Sequence, residues 1–225
     1  MFGDKIMITF DGDNSYYIPN QSRNSLSKFE INKLSKKSFK IQTKVKIDWD
    51  NLDLSQTRNG IVVLNGMDMG ILCTVTQDNI KMIIGQTWTQ GKEEAKPEEI
   101  MIPVNDDILD IEFDYEHMNK ISLKVNDKKE VLELNTKNVI DYTTSVLWIG
   151  CCNNSIYGFE YVVPEFLKGN LNGEMHSLKI YSEDKLVVEY DFEEQTEFKV
   201  RDISGNGNHL IRKVIDKDLG HLVLF

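Results

Sequence analysis

Phe39-Lys40-Ile41-Gln42-Thr43-Lys44-Val45-Lys46-Ile47-Asp48-Trp49 sets apolar side chains at Phe39, Ile41, Val45, Ile47 and Trp49. Lys40, Gln42, Lys44, Lys46 and Asp48 fall between them. A period of two sends alternate side chains to opposite faces, which describes a strand with one face on a core and one in water. The same beat recurs at Ile6, Ile8 and Phe10, at Ile121, Leu123 and Val125, and at Leu186, Val188, Tyr190 and Phe192. It recurs again at Leu109, Ile111, Phe113 and Tyr115, with Asp110, Glu112, Asp114 and Glu116 on the opposite side. Turn formers separate the runs at Asn65-Gly66, Asp78-Asn79, Asn126-Asp127, Gly169-Asn170 and Asn172-Gly173. Helix is expected only as a short turn between Ser25 and Leu34. Many short strands with regular turns predict an all-β sandwich or barrel.

The 225 residues, 40% of them hydrophobic, suffice for one sizeable β domain, expected to span residues 1–225. A formal net charge of −10 argues against non-specific nucleic-acid binding and against anionic lipid. No run of about 18 apolar residues is present, so no membrane-spanning helix is expected. The opening Met1-Phe2-Gly3-Asp4-Lys5 lacks the basic start and apolar stretch of a signal peptide. Three cysteines, Cys73 and the vicinal pair Cys151 and Cys152, do not make a disulfide framework, and buried free thiols are expected.

Five strings, taken in order, resemble the laminin G-like, concanavalin A-like jelly-roll family of lectins and glucanases. Ile8-Thr9-Phe10-Asp11-Gly12 with Tyr17-Ile18-Pro19 resembles that family's F-D-G opening, and Ser38 to Lys46 its S-F-T-I strand, with Lys44 where the family has Trp. Ile121 to Asn126, Leu147-Trp148-Ile149-Gly150 and Gly173 to Tyr181 resemble the later blocks. Asp202-Ile203-Ser204-Gly205-Asn206-Gly207-Asn208-His209 resembles a block that in the family precedes the F-D-G strand, whereas here it follows everything else. Neighbouring chain ends tolerate such a circular rearrangement. The strand at Leu186–Phe192 is therefore expected in the same sheet as Ile6–Phe10, or beside it.

The resemblance implies a jelly-roll β-sandwich of two antiparallel sheets. It also implies a non-catalytic, lectin-like carbohydrate-binding surface module of phage virion-associated type, on a tail, fibre or capsid. The expected partner is a glycan or a virion or cell-surface protein, the expected location a virion or extracellular surface, and a homo-oligomer is compatible with both. The alternative is a purely structural virion or surface protein that meets only protein partners. A glycoside hydrolase of the same fold is a third reading, which Asp110 and Glu112 support poorly, because Ile108 stands where the family's catalytic string needs its first Glu.

Sugar sites combine an exposed aromatic with amides and carboxylates, usually on loops. Trp88, in a polar loop, is the expected platform or else a cap on the end of the core, and Asn153, Asn154, Tyr157 and Tyr161 make a second patch. A cation such as calcium is the other candidate ligand, because it takes six to eight oxygens. Asp11 and Asp13 at one end of the chain and Asp202 and Asn206 at the other could converge on it. Ordinary turns explain both clusters more simply, since neither has a calcium-loop spacing. Among the histidines, His176 shares strand parity with Leu178 and Ile180 and is expected in the core. Trp49 and Trp148 are expected there too.

Overall fold

A computed structural model describes residues 8–11, 15–19, 34, 37–53, 59–65, 69–86, 98–117, 119–134, 146–150, 171–194, 199–216 and 221–224. Its strands are β1 (Ile8–Asp11), β2 (Ser15–Pro19), β3 (Phe39–Ile47), β4 (Asn59–Asn65), β5 (Met69–Thr76), β6 (Asn79–Gln86), β7 (Glu98–Pro103) and β8 (Ile108–Glu116). Then come β9 (Lys120–Val125), β10 (Lys128–Glu133), β11 (Val146–Ile149), β12 (Asn172–Ser182), β13 (Lys185–Asp191), β14 (Lys199–Val200), β15 (Leu210–Asp216) and β16 (His221–Leu224). One 3-10 turn follows β13 at Phe192–Glu194.

Among the described residues these strands form two antiparallel sheets. The seven-stranded sheet runs β1-β12-β3-β8-β9-β10, with β13 also on β12. The nine-stranded sheet runs β14-β15-β2-β11-β4-β5-β6-β7, with β16 on β15. The chain is thus an all-β sandwich. The eleven-residue β12 gives one whole edge to β3 and shares the other between β1, which pairs with Asn172–Met175, and β13, which pairs with Ser177–Ser182. In the second sheet, β2 pairs with β15 from Ser15↔Val214 to Pro19↔Leu210. The early and late parts of the chain therefore meet in both sheets, as the rearranged motif order requires.

The alternation read from sequence builds the core. Phe39, Ile41, Val45 and Ile47 on β3, Leu109, Ile111, Phe113 and Tyr115 on β8, and Ile121, Leu123 and Val125 on β9 are all buried in one cluster. Phe39 meets Phe113 edge-on, with ring centroids 6.0 Å apart. From the facing sheet come Val62, Leu64, Cys73, Val75, Met82 and Ile149. Trp49 packs partly buried against this cluster and donates its indole N–H to the Asp106 carbonyl.

Trp148 is buried, yet on the other side of its sheet. It stands opposite Val63, which stands opposite Leu72 on β5, itself opposite Ile83 on β6. Trp148, Val63 and Ile83 are all buried but lie outside the main core cluster. The centre of the nine-stranded sheet is therefore covered on both faces, which is why β4 reads as a continuous apolar run rather than an alternation.

Hairpins fall where turn residues allow positive φ. Asp78 (54°) turns β5 into β6 and Asn126 (51°) turns β9 into β10. Glu183 (50°) and Asp184 (63°) turn β12 into β13. The first of these turns is Gln77-Asp78 rather than Asp78-Asn79, since Thr76 pairs with Asn79. Of the helical expectation between Ser25 and Leu34, only Leu34 is described, and it is buried in a 3-10 conformation.

Cys73 is a free, fully buried thiol. Burial pushes its pKa up to about 12. The thiolate is the reactive form, so alkylation of Cys73 at pH 8 is expected to be undetectable over hours in the native chain and complete within minutes in denaturant. Peptide mapping after iodoacetamide treatment checks this. Native-state labelling at Cys73 would mean that β5 opens readily.

Candidate functional site: the outward face of the seven-stranded sheet

The side chains that alternate with the core residues of β3, β8, β9 and β12 form the open face of the seven-stranded sheet. Antiparallel register lines them up in rows. One row runs Tyr181, Lys40, Asp114, Ser122 and Val131. The next runs Lys179, Gln42, Glu112, Lys124 and Lys129. Within the rows opposite charges pair across strands, the arrangement that stabilises an exposed sheet face. Lys40 reaches Asp114 at 3.6 Å, Lys179 reaches Glu189 at 2.9 Å, and Gln42 Nε2 donates to Glu112 Oε2 at 2.6 Å. Such contacts contribute little stability at a surface. Their consequence is positional, because they hold donors and acceptors at fixed heights above the sheet.

Two depressions lie on this face. The first, of about 330 Å³, is lined by Lys40, Asp114, Glu116, Ser122, Val131 and Tyr181, among others. The second, of about 300 Å³, is lined by Gln42, Lys44, Asp110, Glu112, Lys124 and Ser177, among others. Burial raises the Asp114 carboxyl above its ordinary range, although Lys40 and Lys129 pull the other way. Tyr181 is half-buried and Val131 is 53% exposed, so the first depression joins apolar surface to charged groups. That combination suits a ligand with apolar C–H faces and many hydroxyls.

Two irregularities of β12 decide which side chains reach this face. A register shift between Met175 and Ser177 leaves His176 without a partner on β3. His176 therefore departs from the core parity expected of it: Met175 and Leu178 are the core residues, and His176 Nδ1 lies 3.3 Å from Glu193 Oε1. A second shift, between Ile180 and Tyr181, pairs Tyr181 with Leu186. Leu186, expected in the core with Val188 and Tyr190, is consequently 37% exposed beside Tyr181, while Val187 is buried. Bulges insert one residue and re-aim their neighbours. Nothing in the alternation alone reveals them.

The Asp202–His209 string forms a clasp on the free edge of β13. Asp202 is 3% exposed. Its carboxylate accepts the backbone N–H of Glu189 (3.1 Å), Ser204 (3.0 Å) and Asn208 (2.9 Å). Ile203 N–H donates to the Glu189 carbonyl, and Ser204 Oγ and Asn206 Nδ2 both donate to the Val187 carbonyl. His209 Nδ1 accepts the Asp202 N–H, and the buried Tyr190 hydroxyl donates to the Asn208 carbonyl. Burial, with the Asp202 charge, holds the Tyr190 hydroxyl well above its ordinary pKa, so it stays a donor. The clasp satisfies the β13 edge with side chains and a loop where another strand would otherwise add.

The other expected site residues divide between described and undescribed positions. Asp202 and Asn206 are in the clasp, where both Asp202 oxygens accept backbone amides and Asn206 Nδ2 donates to the Val187 carbonyl. Asp11 lies at the end of β1 opposite Asn172, and Asp13 lies outside the described residues. Trp88, Asn153, Asn154, Tyr157 and Tyr161 also lie outside them, as do Cys151 and Cys152. Tyr181 is legible in the sequence only as part of the Gly173–Tyr181 strand block. The signal available was its position between two core residues, Ile180 and Ser182, at the turn end of β12.

No protein-family model matches the sequence, and no curated protein matches it. Solved structures show distant similarity. The CBM40 module of a Ruminococcus gnavus IT-sialidase is 8% identical at a TM-score of 0.48, covering 80% of this chain and 92% of that one. Domains LG4-5 of the mouse laminin alpha1 chain are 8% identical at 0.48, covering 87% and 45%. The binding domain of botulinum neurotoxin DC is 10% identical at 0.42, covering 67% and 33%, so this chain spans about a third of that domain. An alginate lyase of polysaccharide lyase family 7 is 8% identical at 0.41, covering 68% and 65%. At these values the likeness is one of architecture, and no residue role passes from any of them to this chain.

Proposed function

We propose that this chain is a non-catalytic carbohydrate-binding module whose ligand lies on the outward face of the seven-stranded sheet. The observation that carries the proposal is the depression around Tyr181, where an aromatic ring and Val131 adjoin Lys40, Asp114 and Ser122. The setting proposed with it is a phage virion or extracellular surface, where repeated copies turn weak single-site affinity into useful avidity. The loop residues Trp88, Asn153, Asn154, Tyr157 and Tyr161 belong to the proposal on sequence grounds, as a second contact at the rim.

Catalysis is the reading to exclude by experiment. Asp110, Glu112, Asp114 and Glu116 alternate on β8, so successive carboxylates stand roughly 7 Å apart, within the range glycosidases use. Three of them are engaged by neighbours: Glu112 by Gln42, Asp114 by Lys40, and Glu116 by Lys120 and Asn119.

A glycan array probed with the wild-type chain, Tyr181→Ala and Trp88→Ala is the test. Binding to at least one glycan class is expected, weakened about tenfold or more by Tyr181→Ala, the scale of a lost aromatic contact. No release of reducing sugar from the bound class is expected. Binding that is indifferent to Tyr181 but abolished by Trp88→Ala would move the site to the rim. An array without any bound glycan would leave the structural alternative in possession.

A further inference from the structure

The two depressions are not independent dents. Their borders are adjacent rows of the same four strands, β12, β3, β8 and β9. The first is lined by Asp114 and Glu116 of β8 and the second by Asp110 and Glu112. The displacement between them is four residues along β8, about 13 Å at strand rise. On β3 the same step runs from Lys40 to Lys44. The line joining the depressions therefore follows the strands instead of crossing them, and the volumes are nearly equal, at about 330 and 300 Å³.

The chemistry repeats along that line. Each depression offers carboxylates from β8, a lysine from β3, a lysine from β9 and a hydroxyl: Lys40, Lys120 and Ser122 in the first, Lys44, Lys124 and Ser177 in the second. Lysine ammoniums donate and carboxylates accept, so each depression can hold a ring bearing several hydroxyls. The apolar component does not repeat, because Tyr181 and Val131 line only the first depression. The first thus supplies stacking area, and the second supplies polar contacts alone.

Resting on the proposed carbohydrate-binding function, we infer that the ligand is a linear oligosaccharide lying along β3 and β8 and held in both depressions at once, with Tyr181 anchoring one end. A terminal monosaccharide would fill one depression and leave the other without a role. A second engaged site acts intramolecularly and raises affinity without new chemistry. It does so only once the ligand is long enough to span the step.

The test is a length series. Titration calorimetry with neutral ladders of one to six sugar units, derived from cellulose, chitin, xylan and starch, reads affinity against length for the wild-type chain, Gln42→Ala and Tyr181→Ala. Gln42 lines the second depression alone and is half-buried at the surface, so its truncation spares the core. The expected result is a steep rise in affinity, about a hundredfold, at the length that first spans both depressions. Gln42→Ala is expected to lower that rise and leave the shortest bound member unchanged, whereas Tyr181→Ala weakens every length. A hexamer bound no tighter than a monomer, or a Gln42→Ala loss equal at all lengths, overturns the inference while leaving carbohydrate binding intact. Failure of every ladder to bind overturns the inference, and overturns carbohydrate binding with it where the glycan array also shows no bound class.

Discussion

Gly173→Ala is expected to destabilise the chain by about 4 kcal/mol or more, the range reserved for changes that the native backbone cannot absorb. Gly173 has φ of +148° and lies on β12 between β1 and β3, opposite Phe10 on one side and Ile47 on the other. A Cβ there would stand 2.1 Å from the Lys46 carbonyl oxygen and 3.2 Å from Ile47 Cα. Those are backbone atoms of a paired strand. They cannot rotate away as a side chain can, so relief requires opening the end of the β3–β12 ladder, where Gly173 also pairs with β1. Gly205→Ala separates this clash from simple conformational strain. Gly205 has φ of +82° and nothing within 4 Å of its would-be Cβ, so it is expected to cost only about 1–2 kcal/mol. Urea denaturation of both variants measures the difference. Equal losses would mean that β12 and β3 do not approach as described.

Asp202→Ala is expected to cost about 3–5 kcal/mol. The substitution strands the N–H groups of Glu189, Ser204 and Asn208, and each buried donor left unmade costs about 1–3 kcal/mol, with Ser204 partly relieved by water. In a chain of this size that corresponds to a fall of roughly 10 °C in melting temperature. Asp202→Asn keeps one acceptor oxygen and is expected to recover part of the loss. The same melts in calcium and in chelator separate clasp from cation site. If the clasp is complete in itself, wild type and Asp202→Ala are equally indifferent to calcium. A calcium-dependent rise that Asp202→Ala abolishes would support the cation reading for this end of the chain. Losing the clasp also bares the edge of β13, so soluble aggregation is expected to accompany the lower stability.

The architecture was legible because the core strands of the seven-stranded sheet keep a strict period of two. Phe39 to Ile47 and Leu109 to Tyr115 bury the residues that alternation selects, with Thr43 added by its hydrogen bond to the Ser177 carbonyl. Displacement of the Asp202–His209 block to the end of the chain was legible too, and its expected consequence, β13 in the same sheet as β1, is seen. Less legible were places where geometry is decided between strands. His176 and Leu186 each obey parity within their own stretch, and each is re-aimed by a bulge that only the partner strand reveals. The Glu183-Asp184 turn is less legible because Glu is not a usual hairpin former and no Gly or Asn accompanies Asp184, although both residues adopt positive φ. Trp148 is buried as expected, but it lies outside the main core cluster, on a face that periodicity does not encode. The oxygen-rich Asp202 string carried two meanings, turn or cation cluster, and the separation lies in where its carboxylate points. The candidate site was the least legible part. Tyr181 gains its role from Lys40 and Asp114, which lie far from it in sequence and meet it only through register.

The most direct measurement is a two-dimensional amide NMR titration of the 15N-labelled chain with the strongest-binding glycan. Shifts concentrated at Lys40, Gln42, Asp114, Ser122 and Tyr181, with the Asp202–His209 clasp and the β4–β6 strands unmoved, are the expected result. Shifts confined to Trp88, Tyr157 and their neighbours in sequence, or a spectrum unchanged at saturating glycan, would contradict a ligand site on the seven-stranded sheet.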